Sequence, residues 1–507
     1  MNGSVGHRRL FLALSAAVRL LTAVAWLRGA EYDEQYTLFL TGQAARPVWP
    51  AGVVTAGDVR AVQAAHAGLA AIARDLRRVD VHPPLYFWTV AAWRRLLGNS
   101  LFAARLASVL FSAVTLVLIA AIARAEHIPA SAAVLLTVGC YGFAYTGAIA
   151  RGFALAQMLS VAGIAVLLAA RWRPYRALSA GVLLGAATCA NYLAAFVACA
   201  ALLWLALTAS APRRPQARQA LLLGAIGLAV WLPADLWFFL AQRHSRIGQF
   251  APFEPVAAAV RLGQYSVASV FGGLPLYVDG FARTAVSVSI ALFAAGVAAI
   301  AVRRRQCIAR PSTRLLLAMA AVAPPIGLLL LGVVFDNTPI ELRYLAFAAP
   351  FIGLLLADAL PRRVRYAVLA VQAVALVGLM TRPETMQPAR ATAMAAAALV
   401  GDGVVVLPRG NDGVGIVGAF AVESPPAVRL VVVGPEASPA QLRVQVSAYP
   451  RVALALLGQD TTSRAALPVM LQAFADPCWR AAGKAFNVQA FDRVCGEGDA
   501  GTSRAAR

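Results

Sequence analysis

The first residues whose types and spacing could do chemistry are Asp33 and Glu34. They stand in AEYDEQY (30–36), where three acidic side chains fall close together in a chain with only 23 Asp and Glu among 507 residues. Carboxylates are costly to place in hydrocarbon, and this stretch follows directly on an apolar run at 10–27, so it belongs just outside a membrane. There a carboxylate can take the proton from a hydroxyl as general base. Farther along stand His82, Arg105, Arg151 and Arg343. Guanidinium groups hold phosphate through charge-assisted, often bidentate, hydrogen bonds. Carboxylates, a histidine and arginines together suit transfer of a group from a phosphorylated donor, and arginines along a membrane face suit a phosphate carried by a lipid. Each residue also has a plainer reading. Asp33 and Glu34 could cap the helix that starts at YTLFLTGQ, His82 could cap or pack, and the arginines could anchor span ends at the interface.

These residues are positioned by a very apolar chain. Hydrophobic residues make up 60% and charged residues 13%, with a mean hydropathy of +0.70. A soluble domain carries roughly twice that charge, so the composition predicts a polytopic α-helical membrane protein. The net charge of +22 does not point to nucleic acid, because the basic residues form short knots between apolar runs, as topology signals do. His7, Arg8 and Arg9 precede the first run and no small-residue cleavage site follows it. It reads as a retained first span, not a removed signal peptide.

Residues 28–100 read as one long external loop. Within it, 58–78 has apolar positions at helical spacing and a polar opposite face, predicting one interfacial helix. Pro83 and Pro84 pre-set the start of another. That helix runs only to Leu97 and carries Arg94 and Arg95, too short for the ~20 residues a span needs, so it reads as re-entrant or interfacial. Later apolar runs lie near 101–123, 129–148, 153–170, 178–191, 192–208, 220–239, 286–302, 315–335, 344–360 and 367–380. With the 85–97 piece left out, the knots at Arg124, Arg171–Arg176, Arg213–Arg218, Arg303–Arg310 and Arg362–Arg365 all fall on the inner side, as the positive-inside rule asks. The expectation is about 11 transmembrane helices with the N-terminus cytoplasmic and the C-terminus outside. It puts the acidic pair, His82, Arg105, Arg151, Arg343 and a further loop with His244, Arg246, Glu254 and Tyr265 on one side.

From 382 to 507 the composition turns polar. Strands are expected at 403–408, 429–434, 451–458 and 487–494, alternating with helices near 388–400, 438–447 and 462–474, which predicts a small extracytoplasmic α/β domain. Cys478 and Cys495 lie there as an isolated pair, read as a disulfide in an oxidising compartment. Cys140, Cys189, Cys199 and Cys307 sit in or beside apolar runs as small fillers. GNDGVGIVG (410–418) lacks the Gly-Lys-Ser/Thr of a phosphate loop and reads as a plain loop. The domain expectation is therefore 1–381 for the membrane part and 382–507 for the outer part.

YDEQYTLFLTGQ, HPPLYFWTVAAWRRLLGNSLFAARLASVLFSAVTLVL, AIARGFALAQMLS and ELRYLAFAAPFIGLLLA together resemble the GT-C type membrane glycosyltransferases. The likeness is to the branch with protein O-mannosyltransferase-like and aminoarabinose-transferase-like enzymes (glycosyltransferase families 39 and 83), and it covers most of 10–380. The resemblance implies the GT-C fold and a sugar donor linked to polyprenyl phosphate. It implies transfer with inversion to a hydroxyl of a glycan such as lipid A or a surface polysaccharide, a lipid or a protein. It makes Asp33 the base and Glu34 a supporting carboxylate, with Glu31 dispensable. It matches His82 to the His-Pro-Pro block, Arg151 to the arginine between the third and fourth spans, and Arg343-Tyr344 to an Arg-Tyr phosphate contact. Arg105 matches the arginine of an Arg-Leu-Pro-Ser motif, here with Ala107 in place of proline. Phe153 stands where some relatives carry tyrosine.

No cofactor is expected to be obligatory, since the donor carries its own leaving group. Asp33 and Glu34 could ligate a divalent cation, although oxygen-ligand sites usually gather more carboxylates than these loops offer. Membrane lipid is an expected partner and nucleic acid is not. An Ala/Arg-rich, Lys-poor chain suggests a bacterial inner membrane. The rival classes are a transporter or lipid flippase, which would place charges near the bilayer midplane and show repeats, and an inactive protein of the same fold.

Overall fold

The structure, a computed structural model, describes residues 2–169, 174–209, 215–243, 251–304, 308–381 and 388–495. His244, Arg246, Cys307, the arginines at 171, 173, 213, 214 and 305, and the expected boundary at 381–382 lie outside the described residues. The chain divides into two compact units. One comprises Met1–Arg28, Ala73–Trp93 and Phe102–Pro383; the other comprises Gly29–Ile72, Arg94–Leu101 and Glu384–Arg507.

The first unit is helical. Among the described residues, six helices are long and apolar enough to cross a membrane: Gly6–Leu27, Leu101–Ala125, Gly280–Arg303, Pro311–Phe335, Leu342–Ala359 and Arg362–Thr381. Two bent pairs, Ala130–Gly139 with Tyr141–Gly147 (75°) and Gln216–Ala229 with Leu232–Gln242 (48°), bring the number to eight if each is one span. Reaching the expected eleven requires counting the shorter helices Phe153–Ala169, Pro174–Ala190 and Ala195–Ala209 as well. The first bend falls at Cys140, whose backbone leaves the helical region. The second falls just before Pro233, at the start of the second half, where proline's missing N–H costs least. Helices 174–190 and 215–229 approach through glycines: a Cβ on Gly181 would meet the Gly224 carbonyl, and one on Gly227 would meet that of Leu178. Small residues at such crossings let helix backbones pack closely in lipid.

The loop expected to hold one helix at 58–78 holds two, Ala56–Ala64 and Leu69–Val79. Thr55 opens the first by accepting from the Asp58 N–H, with Asp58 closing a capping box, and the backbone turns extended at Ala65. The helix after the two prolines spans Leu85–Leu97, at 1.5 Å per residue about two-thirds of the hydrocarbon thickness.

The second unit is built on a six-stranded sheet: β1 (Val54–Thr55), β2 (Val404–Pro408), β3 (Arg429–Val433), β4 (Arg451–Ala455), β5 (Trp479–Ala485) and β6 (Val488–Arg493). Their order is β1-β3-β2-β4-β6-β5. β2 is parallel to both β3 and β4, and the remaining pairs are antiparallel. Central β2 is buried along its whole length, the run of Val and Leu expected of a parallel strand covered on both faces. Alternation along it splits the core. Val405 and Leu407 pack with Phe39, Val59, Ile416 and Phe420, while Val404 and Val406 pack with Leu442, Met470 and Phe474. The sheet's outer strand β1 comes from the first loop, pairing Val54 with Leu430. Cys478 and Cys495 are joined by a disulfide flanking the β5–β6 hairpin. GNDGVGIVG is a loop only in part: Gly410 and Gly413 take positive φ (72° and 74°), and Gly415–Glu423 is a helix.

Candidate active site

The acidic pair stands on the second unit, in the first turn of helix Tyr32–Thr41. Glu31 is the N-cap, and its N–H donates to Glu34 Oε2 at 3.1 Å. Glu34 is buried and closes the capping box, while Asp33 is half-buried and takes no part in the box. Glu31, which the resemblance treats as dispensable, opens the helix.

This acidic helix is fastened to the loop after β2. Tyr36 donates to Asp412 Oδ2 at 2.5 Å and lies 3.2 Å from the Tyr32 hydroxyl. Tyr32 donates to Asp460 Oδ2 at 3.4 Å, and Asp460 Oδ2 also accepts from the Asn411 N–H at 3.2 Å. Burial first, then the Asp412 carboxylate, push both phenols well above their ordinary range. Gly415 and Gly418 lie against the same helix: a Cβ on Gly415 would enter the Tyr32 ring, and one on Gly418 would meet Phe39. Gln35 donates to the Glu31 carbonyl at 3.0 Å and accepts from Gln63 at 2.9 Å. Buried Arg94 donates to the carbonyls of Leu38 and Gln63, and to Thr41.

The histidine and the arginines stand on the first unit. His82 Nδ1 lies 2.6 Å from Asp80 Oδ1, and its Nε2 lies 3.1 Å from Arg151 Nη2. Arginine only donates, so Nε2 accepts from it and Nδ1 carries the proton toward Asp80. Burial would raise the Asp80 carboxyl, but the His82 ring, the Arg151 guanidinium and the Val81 N–H outweigh it and hold the group well below the usual carboxylate range. Gln242 donates to the carbonyls of His82 (3.0 Å) and Leu76 (2.9 Å) and accepts from Tyr192 (2.9 Å), which fixes the loop.

His82 and Tyr344 line one cavity of about 500 Å³, whose wall is mostly apolar, with Asn191, Asp235 and Asn337 among its polar members. Tyr344 stacks on Phe153 with ring centroids 6.4 Å apart. Arg343 pairs with Glu341 at 2.5 Å and lies over the Tyr344 ring. Arg105 is elsewhere in use: its Nη1 donates to the carbonyls of Ala25 (2.9 Å) and Arg28 (2.8 Å), satisfying buried carbonyls at the end of the first helix. Thus His82 and Arg151 are bonded, Tyr344 shares the cavity with His82, and Arg343 adjoins Tyr344. Among the described residues, no three His, Cys, Asp or Glu side chains gather as a metal site would require.

Sequence reasoning missed Asp80, Glu341, Gln242 and Asp235. Asp80 was within reach, since a carboxylate two residues before a loop histidine is a common orienting partner for one ring nitrogen. Gln242 and Asp235 come from a helix more than 150 residues away in the chain from His82, and nothing local marks them.

Residues 81–237, which include His82, Arg105 and Arg151, match the family described as dolichyl-phosphate-mannose-protein mannosyltransferase. No curated protein matches the chain in sequence. Two solved structures are similar in fold. ArnT from Cupriavidus metallidurans bound to undecaprenyl phosphate superposes with a TM-score of 0.52 at 12% identity, covering 96% of this chain and 98% of that one. The apo state of the same protein gives 0.52 at 13% identity, covering 96% and 97%. The chain therefore has the GT-C fold of a polytopic membrane protein with a small C-terminal sheet domain. With the family match inside that fold, the protein is a glycosyltransferase.

Proposed function

We propose that the protein is an inverting glycosyltransferase that moves a sugar from a polyprenyl-phosphate donor to a hydroxyl of a glycan, lipid or protein. Its place is the outer face of a bacterial inner membrane, with the N-terminus cytoplasmic and the C-terminus outside. The observation that carries the reading is the cavity of the first unit, an apolar chamber of about 500 Å³ with His82, itself bonded to Arg151, in its wall. A hydrocarbon chain suits its apolar surface, and a phosphate suits the Arg151 guanidinium that His82 orients. The similar fold of ArnT, solved with undecaprenyl phosphate bound, supports a donor of this class.

The roles follow the sequence resemblance residue by residue. Asp33, half-buried in the first turn of its helix, takes the proton of the acceptor hydroxyl. Glu34 supports it by fixing the helix start. His82, Arg151, Arg343 and Tyr344 hold the phosphate as it leaves, with Arg105 holding the end of the first helix. A divalent cation is not required by this scheme. The test is incubation of purified protein with radiolabelled polyprenyl-phosphate sugars and membrane acceptors. Wild type transfers label and Asp33→Asn does not, while Asp33→Asn still binds donor. Full transfer by Asp33→Asn would remove Asp33 as base, and no transfer by wild type with any donor would remove the function.

A further inference from the structure

Asp235 stands in the first turn of helix Leu232–Gln242, just past the bend of its helix pair. Among the described residues it is the one carboxylate in the wall of the cavity, beside Leu228, Leu232, Leu236 and Phe239. Oδ2 accepts from the Thr188 hydroxyl. Oδ1 is buried and makes no hydrogen bond among the described residues, although the Cys189 thiol also interacts with this carboxylate. Asn337, which lines the same cavity, likewise has a buried side-chain oxygen with no donor among the described residues. A half-buried carboxylate in an apolar helix is expensive unless its acceptors are used, and thermal stability alone would favour leucine there.

The lipid-linked donor assumed above has three parts, and they differ in what they offer such a wall. Its hydrocarbon chain offers no hydrogen-bond donor. Its phosphate is an acceptor with negative charge, which a carboxylate repels. Its sugar alone brings O–H donors. We propose that Asp235, assisted by Asn337, binds the sugar of the donor by accepting from its hydroxyl groups, and so sets which sugars the cavity admits. The proposal rests on the polyprenyl-phosphate reading, and it assigns the sugar end to Asp235 as that reading assigns the phosphate end to His82.

Asp235→Asn is the informative change. Its carbonyl oxygen can keep the Thr188 bond, and its amide then presents a donor where an acceptor stood. Binding is measured for wild type and variant in nanodiscs, by tryptophan fluorescence, with bare polyprenyl phosphate and with polyprenyl-phosphate glucose, mannose and arabinose. The expected result is Kd raised about tenfold or more for the sugar-lipid that wild type binds best, the loss of one charge-assisted hydrogen bond. Kd for bare polyprenyl phosphate stays within about twofold. Equal weakening for both ligands would show that Asp235 only supports the helix packing and would overturn the proposal, as would no change for either. Wild type that binds neither class of lipid would instead overturn the donor reading on which the proposal stands.

Discussion

Replacing Asp80 by asparagine isolates the charge behind His82. Asp80 is 6% exposed and accepts two hydrogen bonds through Oδ1, from His82 Nδ1 and from the Val81 N–H, both at 2.6 Å. Asparagine preserves the shape and can keep accepting, so only the charge is lost. A net hydrogen bond to a charged group is worth about 1.5–3 kcal/mol, against about 0.5–1.5 for a neutral one. The difference of about 1–2 kcal/mol corresponds to roughly 5- to 30-fold in phosphate-lipid binding or in kcat/KM. The sign of the pH dependence is fixed by the direction of the shift. A carboxyl depressed by folding makes its contribution in full above its unfolded range, near pH 4, and loses it as pH falls through the still lower folded value. From pH 5 to 8, Asp80 is therefore ionised throughout, and the Asp80→Asn deficit should be the same at both ends. The assay is donor binding and transfer at pH 5, 6.5 and 8. A deficit that disappears at pH 5 would mean the carboxyl is already protonated there, and a variant equal to wild type would mean the charge does not serve His82.

Three further outcomes test the second unit. Tyr36→Phe removes the donor to Asp412, which keeps the Val414 N–H and Arg46 as partners; it should lower unfolding free energy by about 1–2 kcal/mol, read by chemical denaturation. Cys478→Ser should cost about 3 kcal/mol, the loop-closure value for a separation of 17 residues, and reductant should lower the wild-type midpoint to that of the variant. Gly415→Val drives a side chain into the Tyr32 ring and should loosen the acidic helix, seen as faster hydrogen exchange across 32–41 with exchange across β5 and β6 unchanged. Faster exchange across the whole sheet would mean that Gly415 serves the fold at large.

The elements that repeat a strong local pattern were legible in the sequence. The apolar helices, the short helix after Pro83 and Pro84, and strands β2, β3, β4 and β6 all announce themselves by length, hydropathy or runs of Val and Leu. β5, WRAAGKA, has little β-branching and is a strand because β6 and the disulfide hold it. β1 is two residues long and carries no periodicity at all. The plain loop expected at 410–418 holds for Gly410 and Gly413, whereas Gly415 and Gly418 begin a helix and serve close approach to Tyr32 and Phe39, which only the fold can reveal. The same limit hid Asp235, whose partner Thr188 lies on another helix.

The donation of β1 and the acidic helix to the C-terminal sheet sets an order of events during synthesis. The Ala30 N–H finds Glu423, 393 residues later, and Phe39 and Val59 find their core only when β2 and helix 415–423 exist. Chains grow at about 5–20 residues per second, so the stretch with Asp33 spends tens of seconds or more without its packing partners. The rest of the membrane unit, from Ala73 onward, is made during that interval. A nascent or truncated chain ending near 381 thus carries the spans without the support that fixes its carboxylate helix, and synthesis through β2 and helix 415–423 is what supplies it.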